Sequence, residues 1–226
     1  MKNEFFEGVS VRYEHIVEAL DFPRHDKINA IAQAFEKSQT VIIHAASGQG
    51  KSALAYRYLH EHFAENCRFS IELIEGPRHA LQIATALDGH ASVLKVPIII
   101  YVDIRPNDTS WPILVYRLSR NPYLKILVTI REEDFKRAAL TIHELDYQDI
   151  DLEFNKEEAF LIYDRAKKSH AITDFLDFNE VWNKFGRKGP LLEFVFLLTK
   201  TKSLENRLKG QVQRIRREVR EKKIIL

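Results

Sequence analysis

Residues 41–52 read VIIHAASGQGKS, and this stretch decides the fold. Its β-branched start, residues 41–43, predicts a short buried strand. Residues 52–64 carry Leu54, Leu59 and Phe63 along a predicted helix. Between strand and helix, residues 45–52 fit the pattern of a loop that binds phosphate groups, with Ala45 in place of the first glycine. The sequence therefore predicts a polyphosphate site at a strand-to-helix turn, and residues 45–52 are called the phosphate loop below.

Each residue type in the phosphate loop has a physical role. Gly48 and Gly50 let the backbone turn with its N–H groups pointing inward, which forms an anion-binding nest. Lys51 supplies a cation for the β- and γ-phosphates, and the Ser52 hydroxyl is a ligand for Mg²⁺. The positive end of the following helix faces the same charge. We expect ATP or ADP with Mg²⁺ as cofactors, bound by Ala46, Ser47, Gly48, Gln49, Gly50, Lys51, Ser52 and Ala53.

Strands and helices alternate on both sides of this loop. Further strands are predicted at 69–74, 97–102, 125–130 and 147–154, and further helices at 77–87 and 111–118. Before the loop, helices are predicted over 12–20 and from a cap at Asp26. The alternation predicts an α/β fold in which a parallel sheet is covered by helices on both faces.

The pattern changes after Asn155, where only helices are predicted. We therefore expect two domains: a phosphate-loop α/β domain over residues 1–154 and a small helical lid over residues 155–226. The final helix, 203–223, lacks a stop signal, so the chain is expected to be cut from a longer protein.

An acid at the end of a neighbouring strand is the second requirement of such a site. Asp103 directly follows the apolar run 98–102 and is expected to hold Mg²⁺ together with Ser52. The next residue is Ile104 rather than a second acid. The acids at 132–134 either orient the attacking water or form the negatively charged first turn of a helix.

Arg131 ends the strand 125–130 at the carboxyl edge of the sheet, where open α/β sheets bind ligands. It either reads a terminal phosphate through charge-assisted hydrogen bonds or pairs with Glu132 or Glu133. Thr129 lies within hydrogen-bonding reach of the same edge. Lys51, Asp103 and Arg131 are the expected catalytic residues. His44 is expected to be a strand-end residue with no catalytic role.

The order of these elements resembles a known family. The segment Phe22-Pro23-Arg24, the phosphate loop, Asp103, the Thr-x-Arg element at 129–131 and the segments 154–159 and 189–194 follow one another. This order is similar to the nucleotide-binding domain of STAND P-loop NTPases, which include NACHT and apoptotic or plant-resistance ATPases, and to their bacterial branch above all. The resemblance implies a nucleotide-controlled switch that oligomerises on activation, with effector and sensor domains in the same polypeptide and a role in signalling or antiviral defence.

Two residues outside the loop enter through this resemblance. Pro190 keeps the position of the proline that approaches adenine, although Lys188 stands where the family has glycine. Arg24 matches the segment that packs near the base, and its alternative is a surface arginine beside Asp21 or Asp26. The absence of an Asn-Lys-x-Asp pattern favours adenine over guanine. Because Ile104 follows Asp103, we expect slow ATP hydrolysis.

Composition narrows the remaining possibilities. The chain has 226 residues, 45% of them hydrophobic and 29% charged, with a net charge of +2 and Cys67 as its single cysteine. This is an ordinary globular composition without disulfides, signal peptide or membrane-length apolar run, so a cytoplasmic location without membrane association is expected. Residues 203–226 hold eight Lys and Arg against three Glu.

That basic segment leaves one alternative function open. It is either a solvated helix face or a nucleic-acid contact, as in an AAA-type DNA-processing ATPase; nucleic acid is possible but not favoured. The other alternative is a nucleotide switch that does not hydrolyse ATP.

Overall fold

The computed structural model describes residues 11–139, 141–168 and 177–200. The predicted basic helix at 203–223 lies outside these residues. The chain divides into two compact units, one over Val11–Glu153 and one that begins at Phe154. The role of the second unit as a lid stays a prediction.

The first unit is built on a parallel sheet of five strands in the order β2-β3-β4-β1-β5. The strands are β1 (Thr40–Ala45), β2 (Arg68–Ile71), β3 (Ile98–Asp103), β4 (Leu124–Arg131) and β5 (Gln148–Asp151). The three central strands are buried along nearly their whole length, whereas the edge strands β2 and β5 are partly exposed. Apolar side chains on both faces are what a parallel sheet covered on two sides requires.

Helices cover the two faces of this sheet. They are α1 (Tyr13–Val17), α2 (His25–Lys37), α3 (Lys51–His62), α4 (Pro77–Leu94), α5 (Trp111–Leu118) and α6 (Glu132–Ala138), with a 3₁₀ turn at Glu65–Cys67. One core joins α2 and α3 to Val41, Ile43 and Tyr101; the other joins α4 and α5 to Ile42, Ile100 and Val128. Successive strand residues thus face opposite cores, and the predicted α/β fold is confirmed.

Several boundaries differ from the predictions: α1 ends at Val17 rather than residue 20, and β2 and β5 end at Ile71 and Asp151 rather than residues 74 and 154. Asp26 is not a cap: α2 begins at His25, with Arg24 as its N-cap, so Asp26 lies in the first turn. Helix α4 continues past residue 87, through Gly89, until Lys95 adopts a left-handed φ of 52°. Burial of Ala91 in the core stabilises these two additional turns, which outweighs the low helix propensity of Gly89.

The second unit contains α7 (Lys156–Lys168), α8 (Phe178–Lys184) and α9 (Leu191–Lys200). Its core is aromatic: the rings of Phe154, Trp182, Phe185 and Phe194 lie 5.4–6.2 Å apart. Gly189 is required here, because a Cβ at this position would lie 2.9 Å from the Phe185 ring. Among the described residues, no helix combines the length and apolar character that a membrane crossing demands.

Candidate functional site

The phosphate loop connects the buried strand β1 to the start of α3. Gly48 and Gly50 have φ angles of 82° and 78°, in the left-handed region that side chains disfavour. Gly50 is the N-cap of the 12-residue helix α3, so the positive end of that helix faces the loop. Positive-φ glycines ahead of a helix N-terminus are the backbone arrangement in which N–H groups gather around an anion.

Lys51 is the first residue of α3, and its side chain folds back over the loop. The ammonium Nζ donates hydrogen bonds to the carbonyl oxygens of Ala45 at 2.9 Å and Ala46 at 3.0 Å. Burial lowers the pKa of Lys51, and the nearby Asp103 carboxylate opposes this effect. The ammonium is therefore held above the loop by weak neutral acceptors, which a phosphate oxygen can replace.

Asp103 ends β3 and lies beside the start of α3. The Ser52 hydroxyl donates to Asp103 Oδ2 at 3.1 Å, and the Thr129 hydroxyl donates to Asp103 Oδ1 at 2.7 Å. Because Thr129 has one hydroxyl proton, the buried Tyr101 hydroxyl, 2.9 Å away, donates to Thr129. A chain of hydrogen bonds thus orients the Asp103 carboxylate from beneath, while Asp103 itself is exposed.

The expectation that Asp103 ends a strand next to that of the phosphate loop is wrong, because β4 lies between β1 and β3. Helix α3 crosses β4 to reach β3: it packs against both strands through buried residues such as Leu54 and Ala55. Ser52 in its first turn therefore lies beside Asp103. Exposed oxygens of Ser52 and Asp103 form the kind of ligand set that Mg²⁺ prefers.

Arg131 is the last residue of β4 and pairs in register with Ala45, the last residue of β1. Its side chain is exposed at the carboxyl edge of the sheet. Of the two acids considered as its partners, Glu132 is engaged elsewhere, by His44 Nδ1 at 2.5 Å and by Lys136 Nζ at 2.9 Å. The pKa of Glu132 is lowered by these hydrogen bonds, that of Lys136 first and that of His44 second.

The acids at 132–134 form the first turn of α6. Asp134 is buried, accepts a hydrogen bond from the Asn107 backbone at 3.2 Å and pairs with Arg137 at 2.6 Å. It is thus a structural residue, whereas the side chain of Glu133 is exposed.

Arg24 is buried rather than on the surface, with 6% of its area exposed. Its guanidinium donates to the carbonyl of Gln49 in the phosphate loop at 2.8 Å and to that of Glu153 at 3.4 Å. The alternative of a surface arginine is therefore wrong, since Asp21 is instead paired with Arg57. Arg24 supports the loop backbone from behind, and its expected contact with the base stays a prediction.

The remaining predicted binding residues are distributed as follows. Ala46 and Ser47 are exposed in the loop, Gln49 is half-buried there, and Ala53 lies half-buried in the first turn of α3. Pro190 belongs to the second unit, where its carbonyl accepts hydrogen bonds at the start of α9, and its expected adenine contact stays a prediction.

Sequence reasoning missed the surroundings of His44. His44 is buried, with 6% of its area exposed, and its ring stacks on Phe135 with ring centroids 4.2 Å apart. Its ring nitrogens face Glu132 and Asp149. The sequence contains the alternating acids Asp149 and Asp151, but their proximity to His44 follows only from the pairing of β5 with β1 in this register.

Solved structures share this architecture. The chain aligns with a Walker-type ATPase of Pyrococcus abyssi at a TM-score of 0.57 and 13% identity, covering 88% of this chain and 77% of that one. A katanin structure, which concerns the structural basis of katanin self-assembly, matches at a TM-score of 0.52 and 11% identity. The match covers 78% of this chain and 67% of that one. The S. cerevisiae Hsp104:casein complex in an extended conformation matches at 0.55 and 11% identity, over 81% of this chain.

This chain spans only 38% of the Hsp104 chain. No family model and no curated protein sequence matches it. At these identities the likeness concerns the backbone architecture alone. The chain has the fold of the P-loop NTPases, a parallel sheet flanked by helices with the phosphate loop after its first strand.

Proposed function

We propose that this chain is an ATP-binding module that holds Mg·ATP at the phosphate loop and hydrolyses it slowly. The observation that carries the proposal is the hydrogen bond of 3.1 Å between the Ser52 hydroxyl and the Asp103 carboxylate, at the N-terminus of α3. It brings two oxygen ligands for a hard cation to the end of a loop that has the backbone of an anion nest.

The residues of the site divide the work between phosphate and metal. The loop amides and Lys51 bind the phosphates, and Ser52 and Asp103 hold Mg²⁺, with Thr129 fixing the carboxylate. Mg²⁺, when bound, neutralises charge that develops on the phosphates during hydrolysis. Arg131 lies at the end of β4, the strand next to β1. In this proposal its guanidinium binds the γ-phosphate of ATP, which ADP lacks, and so distinguishes the two nucleotides.

Slow turnover follows from the acids that are near the loop. Ile104, after Asp103, is apolar and 5% exposed, so it provides no base for the attacking water. Glu132 and Asp134 are tied up in ion pairs. Glu133 remains as the acid that could orient water, from the turn after β4. An enzyme without an acid adjoining Asp103 is expected to be far slower than typical enzymes, whose kcat values are about 1–1,000 per second.

The order of motifs supports a place among STAND-type proteins. In this proposal ADP holds a closed state, and ATP with a trigger permits oligomerisation, while effector and sensor domains lie elsewhere in a longer polypeptide. Signalling and antiviral defence are the settings in which such modules act. The katanin neighbour, whose structure concerns self-assembly, agrees with the oligomerisation step.

Calorimetry of nucleotide binding tests the proposal. ATP and ADP are titrated, with Mg²⁺ present, into the wild-type chain, into Lys51→Ala and into the control Lys37→Ala, whose lysine is exposed at the far end of α2. We expect saturable binding to the wild type and the control. Loss of a charged hydrogen bond, about 1.5–3 kcal/mol, predicts that Lys51→Ala binds at least tenfold more weakly.

Phosphate release measured on the same samples separates the two nucleotide-binding alternatives. Slow release that disappears in Lys51→Ala supports the ATPase. Binding without any release identifies a switch that does not hydrolyse ATP. Equal titration curves for wild type and Lys51→Ala, or turnover of several ATP per second, contradict the proposal.

A further inference from the structure

A second group of chemistry-bearing side chains surrounds His44, outside the residues assigned to the nucleotide. His44 Nδ1 lies 2.5 Å from Glu132 Oε2 and 3.9 Å from Asp151 Oδ1, while His44 Nε2 lies 3.1 Å from Asp149 Oδ2. Three elements contribute: β1 supplies the imidazole, β5 the two aspartates and the first turn of α6 the glutamate.

The two nitrogens of the ring have different surroundings. Asp149 faces Nε2 and accepts its N–H, whereas Nδ1 faces Glu132 and Asp151, so that a metal ion bound at Nδ1 would take the place of the proton shared with Glu132. A histidine that donates one ring N–H to a carboxylate and presents its other nitrogen is the arrangement found at most metal-ligating histidines. The stacked Phe135 ring, inclined by 10°, holds the imidazole plane in place.

The group is rich in negative charge. The carboxylates of Glu132, Asp149 and Asp151 face the imidazole, and Lys136 pairs with the first of them. A divalent cation that replaces the proton on Nδ1 is therefore surrounded by opposite charge. Lys136 occupies Oε1 of Glu132, and so leaves Oε2 for the ion.

The spacing of the donor atoms suits one ion. Nδ1 of His44 and one carboxylate oxygen from each of Glu132 and Asp151 all lie within 4.8 Å of one another. Ligands at about 2.0–2.2 Å from a tetrahedral Zn²⁺ lie roughly 3.4 Å apart. To bind the ion, Glu132 must move away from His44 and Asp151 must move toward it, each by about an ångström or less. Both side chains can move because they are 26% and 58% exposed.

We propose that His44, Glu132 and Asp151 form a binding site for a divalent transition-metal ion of the Zn²⁺ class, with Asp149 positioning the imidazole. One nitrogen and two carboxylate oxygens, with a fourth position open to water, are donors that Zn²⁺ accepts. The ion joins the edge strand β5 and the start of α6 to β1, the strand that leads into the phosphate loop. The site is separate from Ser52 and Asp103 and does not rest on the proposed function.

Titration of Zn²⁺ into the tag-free full chain, followed by calorimetry without nucleotide, tests the site. We expect one saturable site in the wild type and its loss in His44→Gln. Asp149→Asn should weaken binding by about tenfold to a hundredfold, as is usual when the partner of a metal-ligating histidine is removed. Lys136→Gln should bind more tightly, because it removes a competing positive charge.

Three controls make the result decisive. His143→Gln removes a histidine that is 68% exposed and lies outside the group, and it should leave the affinity unchanged. Asp103→Asn should also leave it unchanged, which separates this site from the nucleotide metal. Co²⁺ bound at the site should show no thiolate charge-transfer band, which excludes Cys67 as the ligand.

Folding of the variants is checked by circular dichroism. If His44→Gln does not fold, Asp151→Asn decides, because its side chain is exposed and its loss leaves the packing intact. Absence of saturable binding in the wild type overturns the proposal and identifies the group as an ion-pair network around a protonated His44. An affinity that is the same in wild type, His44→Gln and Asp151→Asn overturns it as well.

Discussion

Thr129→Val tests whether buried hydrogen bonds hold the Asp103 carboxylate in place. The substitution keeps the shape of a side chain that is 0% exposed and removes its hydroxyl. That hydroxyl donates to Asp103 at 2.7 Å and accepts from Tyr101 at 2.9 Å, so one change breaks both links.

The magnitude follows from the two links. A hydrogen bond to a charged acceptor contributes about 1.5–3 kcal/mol, and an unsatisfied buried donor costs about 1–3 kcal/mol. Water at the exposed Asp103 and the nearby Ser52 hydroxyl, which also interacts with Tyr101, recover part of this loss. We expect the free energy of unfolding to fall by about 2 kcal/mol, which lowers Tm by about 4–8 °C in a chain of this length.

Thr129→Val should also weaken Mg·ATP binding by about tenfold, because the Asp103 carboxylate loses the hydrogen bond that orients it toward the metal. Tyr101→Phe is the matched control: it keeps the bond from Thr129 to Asp103 and should leave Mg·ATP affinity unchanged. The double variant removes both hydroxyls, so neither of the two is left without a partner, and its loss of stability should be smaller than the sum of the single losses. Urea denaturation and calorimetry measure both quantities. Full stability and full Mg·ATP affinity in Thr129→Val would refute the reasoning.

Three further predictions concern other parts of the first unit. Asp21→Asn removes the nearer carboxylate from the buried guanidinium of Arg57, which keeps Glu61 at 3.7 Å, and should cost about 1.5–3 kcal/mol of unfolding free energy in urea titrations; a loss below about 1 kcal/mol contradicts it. Burial raises the pKa of Tyr58 to about 12, so the folded chain keeps a proton that the unfolded chain loses above about pH 10. Stability should therefore fall as pH rises from 10 to 12, and Tyr58→Phe should reduce that slope by about 1.4 kcal/mol per pH unit; equal slopes contradict it. Arg131→Ala should reduce the preference for ATP over ADP in competition binding while leaving ADP affinity unchanged, and an equal loss for both nucleotides rules out a γ-phosphate sensor.

The phosphate loop and the central strands could be predicted from the sequence because their signals are local. A glycine pattern between an apolar strand and an amphipathic helix needs no knowledge of distant residues. Asp103 was found in the same way, since it ends the most apolar strand of the chain. Its distance from β1 in the sheet could not be predicted, because strand order depends on how the connecting helices pack.

The surroundings of Arg24 and His44 lay beyond the sequence for a different reason. Arg24 contacts carbonyls of Gln49 and Glu153, and backbone acceptors leave no trace in residue identity. His44 meets acids that come from two other elements, about 90 and 105 residues later in the chain, and only the pairing of β5 with β1 brings them together. Local patterns carry no such register.

The dependence of ATP binding on Mg²⁺ tests the central claim most directly. Calorimetry compares ATP affinity with Mg²⁺ and with EDTA, in the wild type, in Asp103→Asn and in the exposed control Asp26→Asn. We expect Mg²⁺ to strengthen ATP binding to the wild type and the control, and Asp103→Asn to lose that gain while keeping its affinity in EDTA. A gain from Mg²⁺ that is the same in Asp103→Asn, or no ATP binding to the wild type in either condition, would contradict the account.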